Sequence, residues 1–174
     1  TVITADEFPG TLAGASRYSR ESVVYPSPYQ YPGEFIEWAK VNFSALKIDA
    51  LLPVTEVTTD LIVRNRDLWP GIKIPFASIE KIDRLSNKVE LFQLAQSIGV
   101  PVPKSVIVDE AAGIRGAAKE IGFPAVFKPA RSRVLINNKW EGTSVRIVGN
   151  DDELGFLIDT LPEFYYPALY QEFV

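Results

Sequence analysis

The chain has 174 residues, an apolar fraction of 47% and a formal net charge of −4, which suits one domain or two small ones and argues against a nucleic-acid surface. It contains no Cys and no His, which excludes disulfides, thiolate nucleophiles, serine–histidine triads and imidazole metal ligands. Acid, base and metal chemistry falls to Asp, Glu, Lys and Tyr, and oxygen donors favour Mg²⁺ over transition metals.

In chain order, Thr1–Thr4 is a short β-branched run that reads as a strand, and its position at the very start implies a preceding unit. Phe8–Arg20 has no clear period. Tyr25–Pro32 carries three prolines among tyrosines and reads as a loop. Pro32 to about Leu46 reads as a helix with Phe35, Ile36, Ala39, Phe43 and Leu46 along it. Asp49–Val54 is a short apolar strand, Glu56 to Leu68 a helix, and Ile74–Phe76 another strand. Short strands alternating with helices predict a small parallel α/β sheet, ending near Lys81–Ser86.

Beyond that boundary the pattern changes. Asn87–Ile98 is an amphipathic helix closed by Gly99. Ser105–Val108 is a strand, and Glu110–Ile121 a helix with Ile114, Ala117, Ala118 and Ile121 at helical spacing. Ala125–Phe127 starts a strand ending at Lys128-Pro129. Asn137-Asn138 marks a hairpin tip. Ser144–Val148 is a strand, Asp151–Leu161 a helix and Ala168–Val174 the last strand. The order after the first helix is β-α-β-β-α-β, a split arrangement used by many small binding modules. The sheet is expected to be antiparallel with both later helices on one face. No apolar run approaches membrane-spanning length and no secretory pattern opens the chain. The lack of Cys fits a reducing cytoplasm. With no initiator Met, the chain is expected to begin inside a longer protein.

Three places carry candidate chemistry. Lys88 opens a helix, where a cation opposes the macrodipole, so it is either an exposed surface lysine or one end of a phosphate site. Lys128 follows the apolar run Phe123-Pro124-Ala125-Val126-Phe127, so it is either exposed at a strand end or aimed into a cleft. Glu141-Gly142-Thr143-Ser144 is either a plain turn or a loop offering backbone N–H groups to a phosphate.

Together these segments resemble the ATP-grasp superfamily. The resemblance spans Ser86–Val174: N-K-x-x-L-x-x-L-A from Asn87 to Ala95, G-V-P-V-P at Gly99–Pro103, I-G-F-P-A-V-F-K-P at Ile121–Pro129, G-T-S-V-R-I-V at Gly142–Val148, D-E-L at Asp152–Leu154 and the final Y-Q-E-F-V. It is similar to the carbamoyl-phosphate synthase large chain, and L-L-P-V-T-E at Leu51–Glu56 looks like the pre-ATP-grasp domain. The resemblance implies an α/β fold: a small parallel-sheet pre-ATP-grasp domain over residues 1–85, then an ATP-grasp N-terminal lobe over residues 86–174, incomplete at its C-terminus.

It also implies roles. Lys88 and Lys128 match the two basic positions holding nucleotide phosphates. Gly142, Thr143 and Ser144 match the mobile phosphate-covering loop, here poor in glycine. Glu172 and Val174 match the hinge at the adenine edge, Val174 through its backbone. Glu56 either touches substrate or caps the next helix. The implied ligands are ATP, Mg²⁺ and a small-molecule carboxylate. Catalytic residues and the metal-binding carboxylates are expected beyond residue 174, with no metal site in this chain and the fragment alone inactive. The full reaction implied is ligation of an amine or thiol to an acyl phosphate. A homodimer is expected from apolar surface on the cleft. The competing reading is a non-catalytic ferredoxin-like regulatory or ligand-binding module.

Overall fold

The β-branched start of the chain forms β1 (Val2–Asp6). In the computed structural model, which describes every residue from Thr1 to Val174, β1 pairs in parallel with β2 (Ser19–Val24). Strand β2 departs from the sequence expectation. Its S-R-E-S-V-V run leaves mostly exposed side chains, so no apolar alternation marks it.

Helix α1 (Pro32–Ala45) begins on proline, whose missing N–H has no intrahelical partner to lose there. It buries Phe35, Ala39 and Phe43 along one stripe. Helix α2 (Glu56–Arg64) starts from Thr55 in a reciprocal cap: each of Thr55 and Thr58 accepts the other's backbone N–H through its hydroxyl. Val57, Leu61 and Ile62 pack with the α1 stripe and Trp69. The helix expected to reach Leu68 stops at Arg64 and tightens into a 3-10 turn over Arg66–Leu68. The strands expected at Asp49–Val54 and Ile74–Phe76 do not form. One parallel bridge, Ala50 with Lys73, stands in their place. Pro53 and Pro75 interrupt both runs, and a proline has no N–H for a ladder. The parallel part of the fold is therefore the β1–β2 pair.

The chain divides into two units, residues 1–79 with 135–141 and residues 80–134 with 142–174. The boundary expected after residue 85 falls within α3 (Ile79–Ser86), a helix that buries no residue fully.

The second unit follows the expected order. Helix α4 (Lys88–Ser97), β3 (Ser105–Val108), α5 (Ala111–Ile121) and β4 (Ala125–Pro129) come first. The hairpin β5 (Arg133–Ile136) and β6 (Lys139–Gly142) is inserted next. Its tip residues Asn137 and Asn138 have φ of 48° and 61°, the left-handed pair that a tight hairpin turn needs and that Asn tolerates. Then come β7 (Arg146–Val148), α6 (Asp151–Thr160) and β8 (Ala168–Glu172). The sheet runs β3-β8-β4-β7 with every pair antiparallel. On one face Val108, Phe127, Val148 and Tyr170 pack under Ile114 and Ala117 of α5 and Leu154 and Leu157 of α6. On the other, Leu169 packs with Val89 and Phe92 of α4.

Candidate functional site

Strand β4 is buried except at Lys128, which is half-buried. Lys128 stands opposite Leu169 in register. Facing residues of paired strands share a side, and Leu169 packs under α4, so the lysine leaves the sheet on the α4 side. Its ammonium donates to Gln171 Oε1 and forms no ion pair. A half-buried ammonium without a counter-charge is suited to pair with an incoming anion.

Lys88 is the first residue of α4, which also packs on this side of the sheet. Its Nζ donates to Ser132 Oγ at 3.0 Å. The first amides of α4 are already engaged. The Lys88 N–H donates to the Ala130 carbonyl, and Asn87 Oδ1 accepts from Val89 and Glu90. A phosphate lodged against bare helix amides, the arrangement that would best explain a lysine at this position, is therefore not available here. The cap satisfies those donors, and Glu90 supplies a negative charge in the first turn.

Gly142, Thr143 and Ser144 lie at the foot of the hairpin. Thr143 donates its N–H to the Ser132 carbonyl at 3.0 Å and its hydroxyl to the Arg131 carbonyl. Both Thr143 donors thus close the base of the hairpin. Ser144 Oγ lies 3.4 Å from the Tyr165 hydroxyl. Arg131 is held by Asp83 at 3.3 Å. A Cβ on Gly142 would stand 2.9 Å from the end of the Arg133 side chain, so a larger residue would displace that guanidinium.

At the end of β8, Glu172 clamps the head of β3. Its N–H donates to the Lys104 carbonyl at 2.9 Å, and its Oε1 accepts from the Lys104 N–H at 2.7 Å. Val174 lies two residues past the end of β8. Glu56 is exposed at the first position of α2 in the other unit. The side-chain cap of that helix is Thr55, not Glu56; the acid stands in the first turn, where its charge favours the dipole.

The structure adds two residues that the sequence reading passed over, Gln171 and Ser105. Gln171 lies 6% exposed on β8 and donates through Nε2 to Ser105 Oγ at 2.7 Å. The signal was present: with period two, Gln171 shares the face of Leu169, opposite Tyr170. A polar side chain inside an apolar strand calls for a partner. No group of three or more acidic residues stands where it would hold a metal ion. No helix is long and apolar enough to cross a membrane.

No protein-family model matches the chain. The carbamoyl phosphate synthase large chain of Methanoculleus marisnigri is 35% identical over 60 residues, which is 34% of this chain and 6% of that protein. The L-amino acid ligase of Bacillus licheniformis superposes with a TM-score of 0.66 at 15% identity, covering 97% of this chain and 36% of that one. The biotin carboxylase domain of Hydrogenobacter thermophilus 2-oxoglutarate carboxylase, solved with MgADP, ADP and bicarbonate, superposes with a TM-score of 0.59 at 16% identity over 90% of this chain and 35% of its own. The chain thus spans about a third of these solved structures and a smaller part of the curated relative.

Proposed function

The chain has the ATP-grasp fold, and we propose that it forms the ATP-binding part of an ATP-dependent ligase that joins a carboxylate to an amine or thiol. The observation that carries this reading is Lys128: a half-buried ammonium on a rigid central strand, oriented by a buried amide and without a counter-ion. Such a group suits an anionic ligand, which we read as a nucleotide phosphate; the superposed biotin carboxylase domain was solved with MgADP, ADP and bicarbonate. A non-catalytic ferredoxin-like module gives no reason for that cation to be kept unpaired.

In this reading Lys128 and Lys88 bind the phosphates from one side of the sheet. The loop at Gly142–Ser144 covers them, which requires Thr143 to release the Arg131 and Ser132 carbonyls. Glu172 and Val174, the latter through its backbone, are read as meeting the adenine edge. In the whole enzyme the γ-phosphoryl passes from ATP to the carboxylate, ADP departs, and the amine or thiol attacks the acyl carbon with release of phosphate. The lysines stabilise charge and position the chain of phosphates; they transfer no proton. Mg²⁺ would be carried in on the nucleotide phosphates, and we expect no ATP turnover by residues 1–174 alone. We read the protein as cytoplasmic, which its lack of Cys fits. A homodimer is part of this reading.

Calorimetric titration of the chain with ATP, with and without Mg²⁺, tests the reading. We expect saturable binding with Kd of about 0.1–1 mM, little changed by the metal, and no ATP turnover. No binding at several times that concentration would remove the assignment. Micromolar binding that depends on Mg²⁺, or steady turnover, would show that the metal site lies within these residues.

A further inference from the structure

We infer that Gln171 is the positioning residue for Lys128, and that its neutrality is the property the site uses. The inference rests on the proposed phosphate role of Lys128. Strand β8 lies between β3 and β4, and Gln171 stands opposite Ser105 on one side and Val126 on the other. Lys128 is two residues along β4 from Val126, a diagonal neighbour on the same face.

The hydrogen bonds run in one direction. Lys128 Nζ donates to Gln171 Oε1. Gln171 Nε2 donates to Ser105 Oγ at 2.7 Å. The Ser105 hydroxyl donates to the Pro103 carbonyl at 2.9 Å. Chemistry sets this order. An ammonium has donors only, so the amide oxygen must face it and the amide NH₂ must point away to an acceptor. The chain ends on a backbone carbonyl and never meets a carboxylate. The amide is 6% exposed, so it has no rotameric freedom to leave the lysine without burying an unpaired polar group.

The consequence is specific. A leucine at this position would leave the ammonium unaimed. A glutamate would aim it equally well but would neutralise it, competing with the phosphate for the same charge. Glutamine holds the ammonium by one of its three donors and leaves its full charge and two donors for the ligand.

The experiment compares the intact chain with Gln171→Leu, Gln171→Glu, Lys128→Ala and Lys128→Ala/Gln171→Leu, titrating each with ATP and with adenosine by NMR. We expect Gln171→Leu to weaken ATP about tenfold and Gln171→Glu by more, with adenosine unchanged, since the loss is confined to phosphate. In the Lys128→Ala background, Gln171→Leu should add nothing. Independently of any ligand, Lys128→Ala should shift the side-chain amide resonances of Gln171. Should Lys128→Ala weaken ATP while both single Gln171 variants bind like the parent, Gln171 has no positioning role and the phosphate assignment of Lys128 stands. Should Gln171→Leu weaken ATP and adenosine by the same factor in both backgrounds, its effect is structural and the inference is wrong. Should the parent chain show no response to ATP, the phosphate role falls and this inference falls with it. If Gln171→Glu does not fold, the leucine variant and the amide shift still decide.

Discussion

The two faces of the four-stranded sheet differ in kind. One is dry: Val106, Val108, Phe127, Val148, Ala168 and Tyr170 pack under α5 and α6 with no charged group among them. The other carries Ser105, Gln171 and Lys128 beside Leu169 and Ile107, under α4. Strand β8 serves both, giving Tyr170 to the dry face and Gln171 to the wet one. The alternation of a strand therefore separates the residues that hold the fold from the cation and its buried amide, one residue apart. It also ties the two together. A slip of one residue in β8 would carry Gln171 into the core and Tyr170 to the lysine, so the core that fixes the register also aims the site.

The strongest test of this division is Phe127→Ala. Phe127 is fully buried on the dry face, and its truncation should cost about 3–5 kcal/mol in urea unfolding followed by circular dichroism. A cost near zero would mean that the face is not the core it is taken for. The adjacent residue should behave in the opposite way. Lys128→Ala should lower unfolding stability by no more than about 1–3 kcal/mol, the cost of leaving Gln171 Oε1 unpaired, yet weaken ATP by tenfold or more, the worth of a charge-assisted hydrogen bond. Lys88→Ala should have a smaller effect on ATP, because its ammonium is held by Ser132 in an exposed segment rather than by a rigid strand. Equal effects of the two lysines would remove the distinction between strand and helix end.

The smallest expected effect lies at Tyr170. Its hydroxyl is buried without a hydrogen-bond partner, so Tyr170→Phe should be neutral or stabilising, within about 1 kcal/mol at neutral pH. Burial, and secondarily the charge of Asp151, pushes its phenol up to about 12. The folded value lies above the unfolded one of about 10, so this contribution to stability is complete below pH of about 10 and is lost as pH rises through about 12. Tyr170→Phe should flatten part of that alkaline fall. The rest should persist, because burial, then Asp6 and Glu7, push Tyr25 in the other unit up to about 12 as well. Melting curves across that pH range, parent against variant, would show whether the dry face contributes to alkaline unfolding.

Much of the second unit was legible in the chain. Ile114, Ala117, Ala118 and Ile121 announce α5 by spacing, Asn137-Asn138 announces the hairpin, and Phe127-Lys128-Pro129 marks the end of a strand. These are local signals, set by backbone geometry and by the period of apolar residues. The first unit was less legible. Strand β2 has no apolar alternation, and the runs broken by Pro53 and Pro75 read as strands yet leave only the bridge of Ala50 with Lys73, just before the second run. Their state depends on partners distant in sequence, which no local pattern encodes.

The site divides in the same way. Residue types and order determined which cations were candidates, and the absence of His and Cys determined which chemistries were not. Only the tertiary structure decided how those cations are held. Gln171 and Ser105 are 66 residues apart in the chain, and Lys128 and Gln171 are 43 apart; antiparallel pairing of three strands brings them to one face. The same pairing engages Glu172 with Lys104, and the cap at Asn87 closes the helix end that Lys88 opens. Hydrogen bonds between strands are set by register, and register is set by the apolar face as a whole. A sequence states which groups are available, while the packed core determines which of them meet.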